Sequence, residues 1–471
     1  MILETELDGL LYSLDTDEQE ATVKKCVDRE RTGEVVIPES FFYEGIVYRV
    51  TKIGKQAFCG CTDIQSIIVP ESVTIIGSWA FCGCISLTSI TMPKGITNIE
   101  YETFYNCCNL TSIIIPEGVK SIKKNAFRDC SKIISVTIPK TTTSIGDCAF
   151  YNCINLTAIN IPESVTSIGD LAFFNCSSLI SIIIDKENFS YDSRNDCNAI
   201  IETTSNTMIL GCSNTIIPED ITTIGKYAFS NCRRLTSIVV PESVTSIGNG
   251  AFYCCYNLKT IRIPEGITII GEHVFSNCSS LTSISLPESV TSIEYCAFSH
   301  CNSLTDINIP ENVKSIGDSV FNGCCNLTFI TIPNGVTQIG HYVFYGCRSL
   351  SFINIPKRLT SIGKSAFRGT CLTYVIIPKN VKSIESWAFD NCRNLKQLTI
   401  LGATTIEIGA FAQITPCADV YCYSEEVPPT HEDAFGHCGL YSSTLHVPES
   451  AIDAYKNTEP WSEFGTIVAI K

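Results

Sequence analysis

A chain of 471 residues, 45% of them hydrophobic, has ample apolar side chain for a continuous core. Its formal net charge of −15 argues against nucleic acid, whose phosphates need a basic stripe, and against docking on an anionic membrane surface. No window approaches the roughly 18 consecutive apolar residues of a bilayer span, so no membrane insertion is expected.

The chain opens on MILETELDGLLYSLDTDEQE, which has neither the basic flank nor the apolar run of a signal peptide. The expectation is either a protein that stays inside the cell or a numbering that begins after a removed export signal. Residues 1–52 do not repeat. DGLLYSL, EATVKKCV and GEVVIPESFFYEGIVYRV read as short strands, with alternation clearest from Tyr43 to Val50. They are expected to form an N-terminal β cap on the first repeat.

From Ile53 a fixed beat takes over. Phe58, Phe81, Phe104, Phe127, Phe150 and Phe173 are spaced by 23 residues. The beat resumes at Phe229, Phe252, Phe275, Phe298, Phe321, Phe344 and Phe367, then loosens to Phe389, Phe411 and Phe435. About 16 units of 23 residues make a solenoid, in which no unit buries its apolar side alone. Leu87, Ile90 and Met92 show the L-x-x-L-x-L spacing of a leucine-rich repeat strand, which Pro93 ends. A second short extended segment follows. A glycine then comes at a turn, as at Gly54, Gly77, Gly146, Gly169 and Gly225, where positive φ is expected. The Ala-Phe-x-x-Cys stretch after it reads as one helical turn carrying the phenylalanine inward. The expected fold class is an α+β repeat solenoid, with short parallel strands on the concave face and single helical turns on the other side. Repeats fill 53–185 and 217–415.

Between them, residues 186–216 break the beat. NAIIET and TMILGC, split by Thr-Ser-Asn, read as a hairpin insertion. Residues 416–471 read as a degenerate last repeat and a C-terminal cap, with a short helix at Ala451–Lys456 and with Trp461 and Phe464 folded over the last core layer.

The 27 cysteines follow the same beat. Fourteen lie three residues after a repeat phenylalanine, from Cys61 and Cys84 through to Cys392 and Cys438. They read as a ladder of buried thiols, each a small hydrophobe. Off that register, Cys59 and Cys82 share a position in adjacent units, and Cys197 and Cys212 flank the hairpin. Both pairs are open to a disulfide, with buried thiols the favoured alternative. Cys417, Cys422, His431, His437 and Cys438 are zinc-type ligands, but their spacing fits structural packing better, so no metal and no other cofactor is expected.

By these residues the chain resembles a known family. IPESVTSIGDLAFFNCSSLISI is similar to the BspA-like, surface-antigen type of leucine-rich repeat found in bacteria. DSRNDCNAIIETTSNTMILGC and VPESAIDAYKNTEPWSEF are similar to elements of its bacterial members. The resemblance implies an exported or surface-attached protein that binds host or neighbouring-cell molecules. Such a location requires the thiol ladder to be buried from oxidants.

No catalytic motif is visible, and the six histidines are scattered without a carboxylate at catalytic spacing, so no enzymatic activity is expected. The informative signal is on the outward strand positions, mostly Ser, Thr, Asn, Ile or Val. On three consecutive strands the first of them becomes Phe329, Phe352 and Tyr374, beside Asn354, with Asp306 and Asn308 on the preceding unit. Aromatic anchors beside polar groups are what recognition surfaces use. The competing reading is stacking that merely stabilises neighbouring strands. The expected function is non-enzymatic binding or adhesion at the cell surface or in secreted form, by a monomer that takes a protein or glycan ligand on the concave face. The alternative is a cytoplasmic interaction scaffold.

Overall fold

The computed structural model describes residues 2–28, 30–415 and 418–470. The chain divides into two compact units, Met1–Pro218 with Phe229–Arg233, and Glu219–Ala228 with Arg234–Lys471.

The first unit opens with an antiparallel meander of Ile2–Leu7, Leu10–Asp15 and Glu20–Cys26. The stretch DGLLYSL is therefore not one strand. Asp8 (φ 50°) and Gly9 (φ 70°) turn the chain back, as an Asp-Gly pair does in a tight hairpin. Ile46–Ile53 pairs antiparallel with Ser40–Tyr43 and parallel with Glu20–Cys26. Leu10, Tyr12, Leu14, Ala21 and Val23 are buried, so one face of this sheet covers the first coil. The Cys26 N–H donates to the Ala57 carbonyl (2.7 Å), satisfying an acceptor that no earlier repeat can reach.

Each coil then contributes to three stacked ladders. One is a parallel sheet, as in Ser112–Ile114, Ser135–Thr137, Ala158–Ile161 and Ser181–Ile184, with Ser112, Ser135, Ala158 and Ser181 in register. A second is the two-residue sheet Asn98–Ile99, Ser121–Ile122, Ser144–Ile145 and Ser167–Ile168. Proline begins the link between them, the Val73 N–H donating to the Pro70 carbonyl (3.1 Å) in a tight turn.

The third ladder corrects the expectation of helical turns. Around the repeat phenylalanines from Phe58 to Phe411 the backbone alternates hand. Gln56 (φ 60°) and Gly60 (φ 74°) flank Phe58, and Glu102 (φ 55°) and Asn106 (φ 58°) flank Phe104. Left-handed residues two before and two after the phenylalanine exclude a right-handed helix. They turn alternate N–H groups along the stack. The N–H groups of Gln56, Phe58 and Gly60 donate to the carbonyls of Ser78, Ala80 and Cys82 (3.1, 2.7 and 2.7 Å). Helix is thus scarce, and the fold is a leucine-rich repeat β-solenoid.

The glycines expected at positive φ do a different job. Gly77, Gly146 and Gly169 are absent from the left-handed set, yet a Cβ at Gly146 would lie 2.6 Å from the Lys124 nitrogen. Close approach of the neighbouring coil, and not the dihedral, calls for glycine there.

Phenylalanine rings fill the core as a stacked column, Phe104–Phe127 at 5.3 Å and Phe127–Phe150 at 5.2 Å. The ladder cysteines are buried beside them, and most of their thiols reach back one coil. Cys107 Sγ donates to the Phe81 carbonyl (3.1 Å) and Cys130 Sγ to that of Phe104 (3.0 Å). The unit ends in Tyr191–Asp192, Ile200–Glu202 and Thr207–Leu210, which pair antiparallel.

The second unit repeats this construction, with Phe321–Phe344 at 5.6 Å and Phe389–Phe411 at 5.3 Å. Its first sheet runs in register through Tyr374–Ile377, Gln397–Ile400, Asp419–Cys422, Thr444–Val447 and Thr466–Ala469. The ladder therefore persists beyond the point where the sequence period frays. Ile452–Lys456 is the α-helix, and buried Trp461 and Phe464 meet Phe435 edge-on at 5.4 and 5.6 Å. Trp461 Nε1 donates to Thr430 Oγ1 (3.0 Å).

Candidate functional site

In the second unit, Phe329–Thr331 and Phe352–Asn354 pair in parallel, with Phe329 opposite Phe352 and Thr331 opposite Asn354. Alternation along each strand turns Ile330 and Ile353 into the core and leaves the residues on either side outward. The Phe329 and Phe352 rings stack at 5.3 Å, 10° from parallel. Tyr374 follows at 5.6 Å, tilted by 60°. Phe329 is 46% exposed and Tyr374 43%, with Ile376 beside them at 50%. Phe352, between its two neighbours, is half-buried. Asn354 is exposed, as are Asp306 and Asn308 one coil earlier, where Thr305 Oγ1 donates to Asp306 Oδ1 (3.3 Å). The structure brings all six expected site residues to one outward strand face. The stripe stacks on itself and still presents much of its ring surface to solvent.

The same face carries two residues that the sequence reading missed. Tyr421 lies opposite His446 in register, and their rings stack at 4.2 Å, 6° from parallel. His446 Nε2 sits 3.9 Å from Asp419 Oδ1. Their signal was present, since each is the outward residue two after a strand start, but the frayed period hid the register.

Other aromatic rows lie on the turn edges. In the first unit the Arg128 guanidinium lies over Tyr151 (4.5 Å) and towards Tyr105 (5.9 Å), and Tyr151 stacks on Phe174 at 4.8 Å. In the second, His273 is edge-on to Tyr253 and Tyr295 at 6.1 and 5.1 Å. Reading the positions just before and after each repeat phenylalanine as columns would have found both rows.

The zinc-type residues near the C-terminus are occupied otherwise. Cys417 lies outside the described residues. Cys422 Sγ accepts from Tyr455 Oη (3.2 Å), Cys438 Sγ donates to the Phe411 carbonyl (2.9 Å), and His431 Nδ1 accepts from the Asp433 N–H (3.1 Å). His437 lines a shallow hollow with Arg393, Gln413 and Thr415. Among the described residues no group of three or more His, Cys, Asp or Glu side chains is placed to hold a metal ion. Cys59, Cys82, Cys197 and Cys212 are free thiols. Burial pushes the ladder thiols up, Cys84 and Cys176 to about 12, so they stay protonated and poorly nucleophilic.

Six copies of the model for the BspA type leucine rich repeat region match residues 51–180, 201–328 and 314–441. The chain belongs to the BspA-type leucine-rich repeat family. Among solved structures, this BspA-type chain is similar to a leucine rich cell surface protein from Faecalibacterium prausnitzii. The two share 30% identity over 75% of this chain and 94% of that one, at a TM-score of 0.57. It is similar also to the pneumococcal vaccine antigen PcpA, with 19% identity over 100% of this chain and 99% of that one, at a TM-score of 0.55. At that identity the likeness to PcpA concerns the fold alone. A search of curated proteins finds no significant match.

Proposed function

We propose that this protein is a non-enzymatic adhesion module, displayed at the cell surface or secreted, that recognises a protein or glycan ligand through its outward strand face. The reading takes that face as the concave side of the solenoid. It takes Phe329, Phe352 and Tyr374 as the anchors, with Asp306, Asn308 and Asn354 as hydrogen-bonding partners. The observation that carries it is the run of three part-exposed aromatic rings on consecutive strands of one face. Rigid aromatic rings bury much area for little conformational entropy, which is why they dominate hot spots.

The family and the printed description of the Faecalibacterium relative as a cell surface protein support the location. The thiol load is compatible with an oxidising exterior because the fourteen ladder cysteines are buried. The test is a screen of the purified full chain against extracellular proteins and glycans, repeated with Phe329, Phe352 and Tyr374 all replaced by alanine. A hit whose affinity falls roughly 30-fold or more in the triple variant, with its circular dichroism unchanged, is the expected result. Undiminished binding by a folded triple variant would move the site elsewhere.

A further inference from the structure

Among the described cysteines, Cys59, Cys82, Cys108, Cys148, Cys325 and Cys371 are partly exposed. Only Cys59 and Cys82 occupy the same register in adjacent coils, each directly after the repeat phenylalanine. The coils are tied on both sides of the pair, the Phe58 N–H donating to the Ala80 carbonyl and the Gly60 N–H to that of Cys82, both at 2.7 Å. Directly before them in the chain, the Phe58 and Phe81 rings stack at 5.5 Å between centroids.

The neighbouring positions explain their access. Elsewhere the residue two after the phenylalanine is often Asn or Asp, as at Asn106, Asp129, Asn152 and Asn175. Beside Cys59 and Cys82 it is Gly60 and Gly83, so no side chain covers the sulfurs from that side. On the other side Trp79 is held by Glu102, its Nε1 donating to Oε2 (2.7 Å), with Lys55 Nζ over the ring at 4.6 Å.

We propose that Cys59 and Cys82 are a reversible redox site, a dithiol that small-molecule disulfides oxidise to a clip between the first two coils. The Cys59 thiolate attacks one sulfur of a disulfide such as oxidised glutathione and expels one equivalent of thiol, leaving a mixed disulfide. The Cys82 thiolate then attacks Cys59 Sγ and expels the second. The dithiol loses two electrons and two protons, the oxidant gains them, and two thiols leave. The order follows from Cys82, whose thiol burial and the neighbouring Cys59 and Glu102 push up to about 12; it opens exchange poorly and enters once Cys59 carries the leaving group. A disulfide needs Cβ atoms within about 4.5 Å, a span that matched positions on adjacent, hydrogen-bonded coils approach. A disulfide at a partly exposed site is one that an external thiol readily reopens.

The test is incubation of the reduced, folded full chain with oxidised glutathione, followed by alkylation, digestion and mass spectrometry, for wild type and Cys82→Ser. The expected wild-type product is a Cys59–Cys82 disulfide without retained glutathione, returned to two alkylated thiols by reduction. Cys82→Ser, with its circular dichroism unchanged, is expected to trap glutathione on Cys59. The proposal is overturned if wild type keeps glutathione on Cys59, if both thiols stay free while Cys371 is modified, or if Cys59 of the variant takes up none.

Discussion

Phenylalanine and cysteine recur together because each repeat has one large and one small apolar gap to fill, and the same gaps return at every coil. Phe127 is buried between Phe104 and Phe150, with rings on both faces. Phe127→Ala should cost about 3–5 kcal/mol, read as a lower urea midpoint, because stacked backbones on either side hold the cavity open. The thiols add a pH dependence whose sign is fixed. An unfolded thiol ionises near 9.0, whereas burial pushes Cys84, Cys176, Cys324 and Cys392 to about 12. Below the unfolded value both states hold the proton and the stabilisation is fully present. Between those values the folded state keeps protons that the unfolded state has lost, so stability falls as pH rises. Urea midpoints at about pH 8 and about pH 10.5 should show the drop, and replacing Cys84, Cys107 and Cys130 by alanine should shrink it. The phenylalanine and cysteine columns were legible in the sequence because burial constrains residue type at every coil. The thiol-to-carbonyl bonds were not, since a small buried hydrophobe and a weak donor leave the same pattern.

At the scale of the element, the two strand ladders were legible and the turn ladder was not. Strand positions alternate in hydrophobicity, which a period of two reveals. The turn depends on left-handed dihedrals, and residues such as Gln56, Trp79, Glu102 and Leu171 occupy them without any preference for that conformation. Only the second left-handed position, with Asn106, Asp129, Asn152 and several glycines, carries a signal. Asn106 (φ 58°) is exposed, so its dihedral can be tested with little disturbance of packing. Asn106→Gly should be near neutral, whereas Asn106→Val should cost about 1–2 kcal/mol in thermal or urea unfolding. The aromatic stripe belongs to the same scale, because its three rings share a face only through the strand register. Tyr421 and His446 extend that face, and their joint replacement by alanine is expected to weaken binding less than loss of Phe329, Phe352 and Tyr374. Binding measured on the two variants side by side would check that ranking. This extension escaped the sequence because register, once the spacing loosens after Phe389, can be recovered only from paired backbones.

For the whole molecule, stability rests on coils that contact only their neighbours, so the two ends need closing. At the C-terminus, buried Trp461 sits edge-on to Phe435 and to Tyr455 (5.5 Å). Trp461→Ala should therefore remove about 3–5 kcal/mol and raise hydrogen exchange in the last coils before the rest of the second unit. Function at this scale turns on where the chain resides. The most direct measurement is protease treatment of intact cells that make this protein natively, followed by immunodetection. Loss of the chain without lysis is the predicted result, and it would place the strand face where an extracellular ligand can reach it. Full protection until the cells are broken would contradict the adhesion reading and leave an intracellular scaffold in its place.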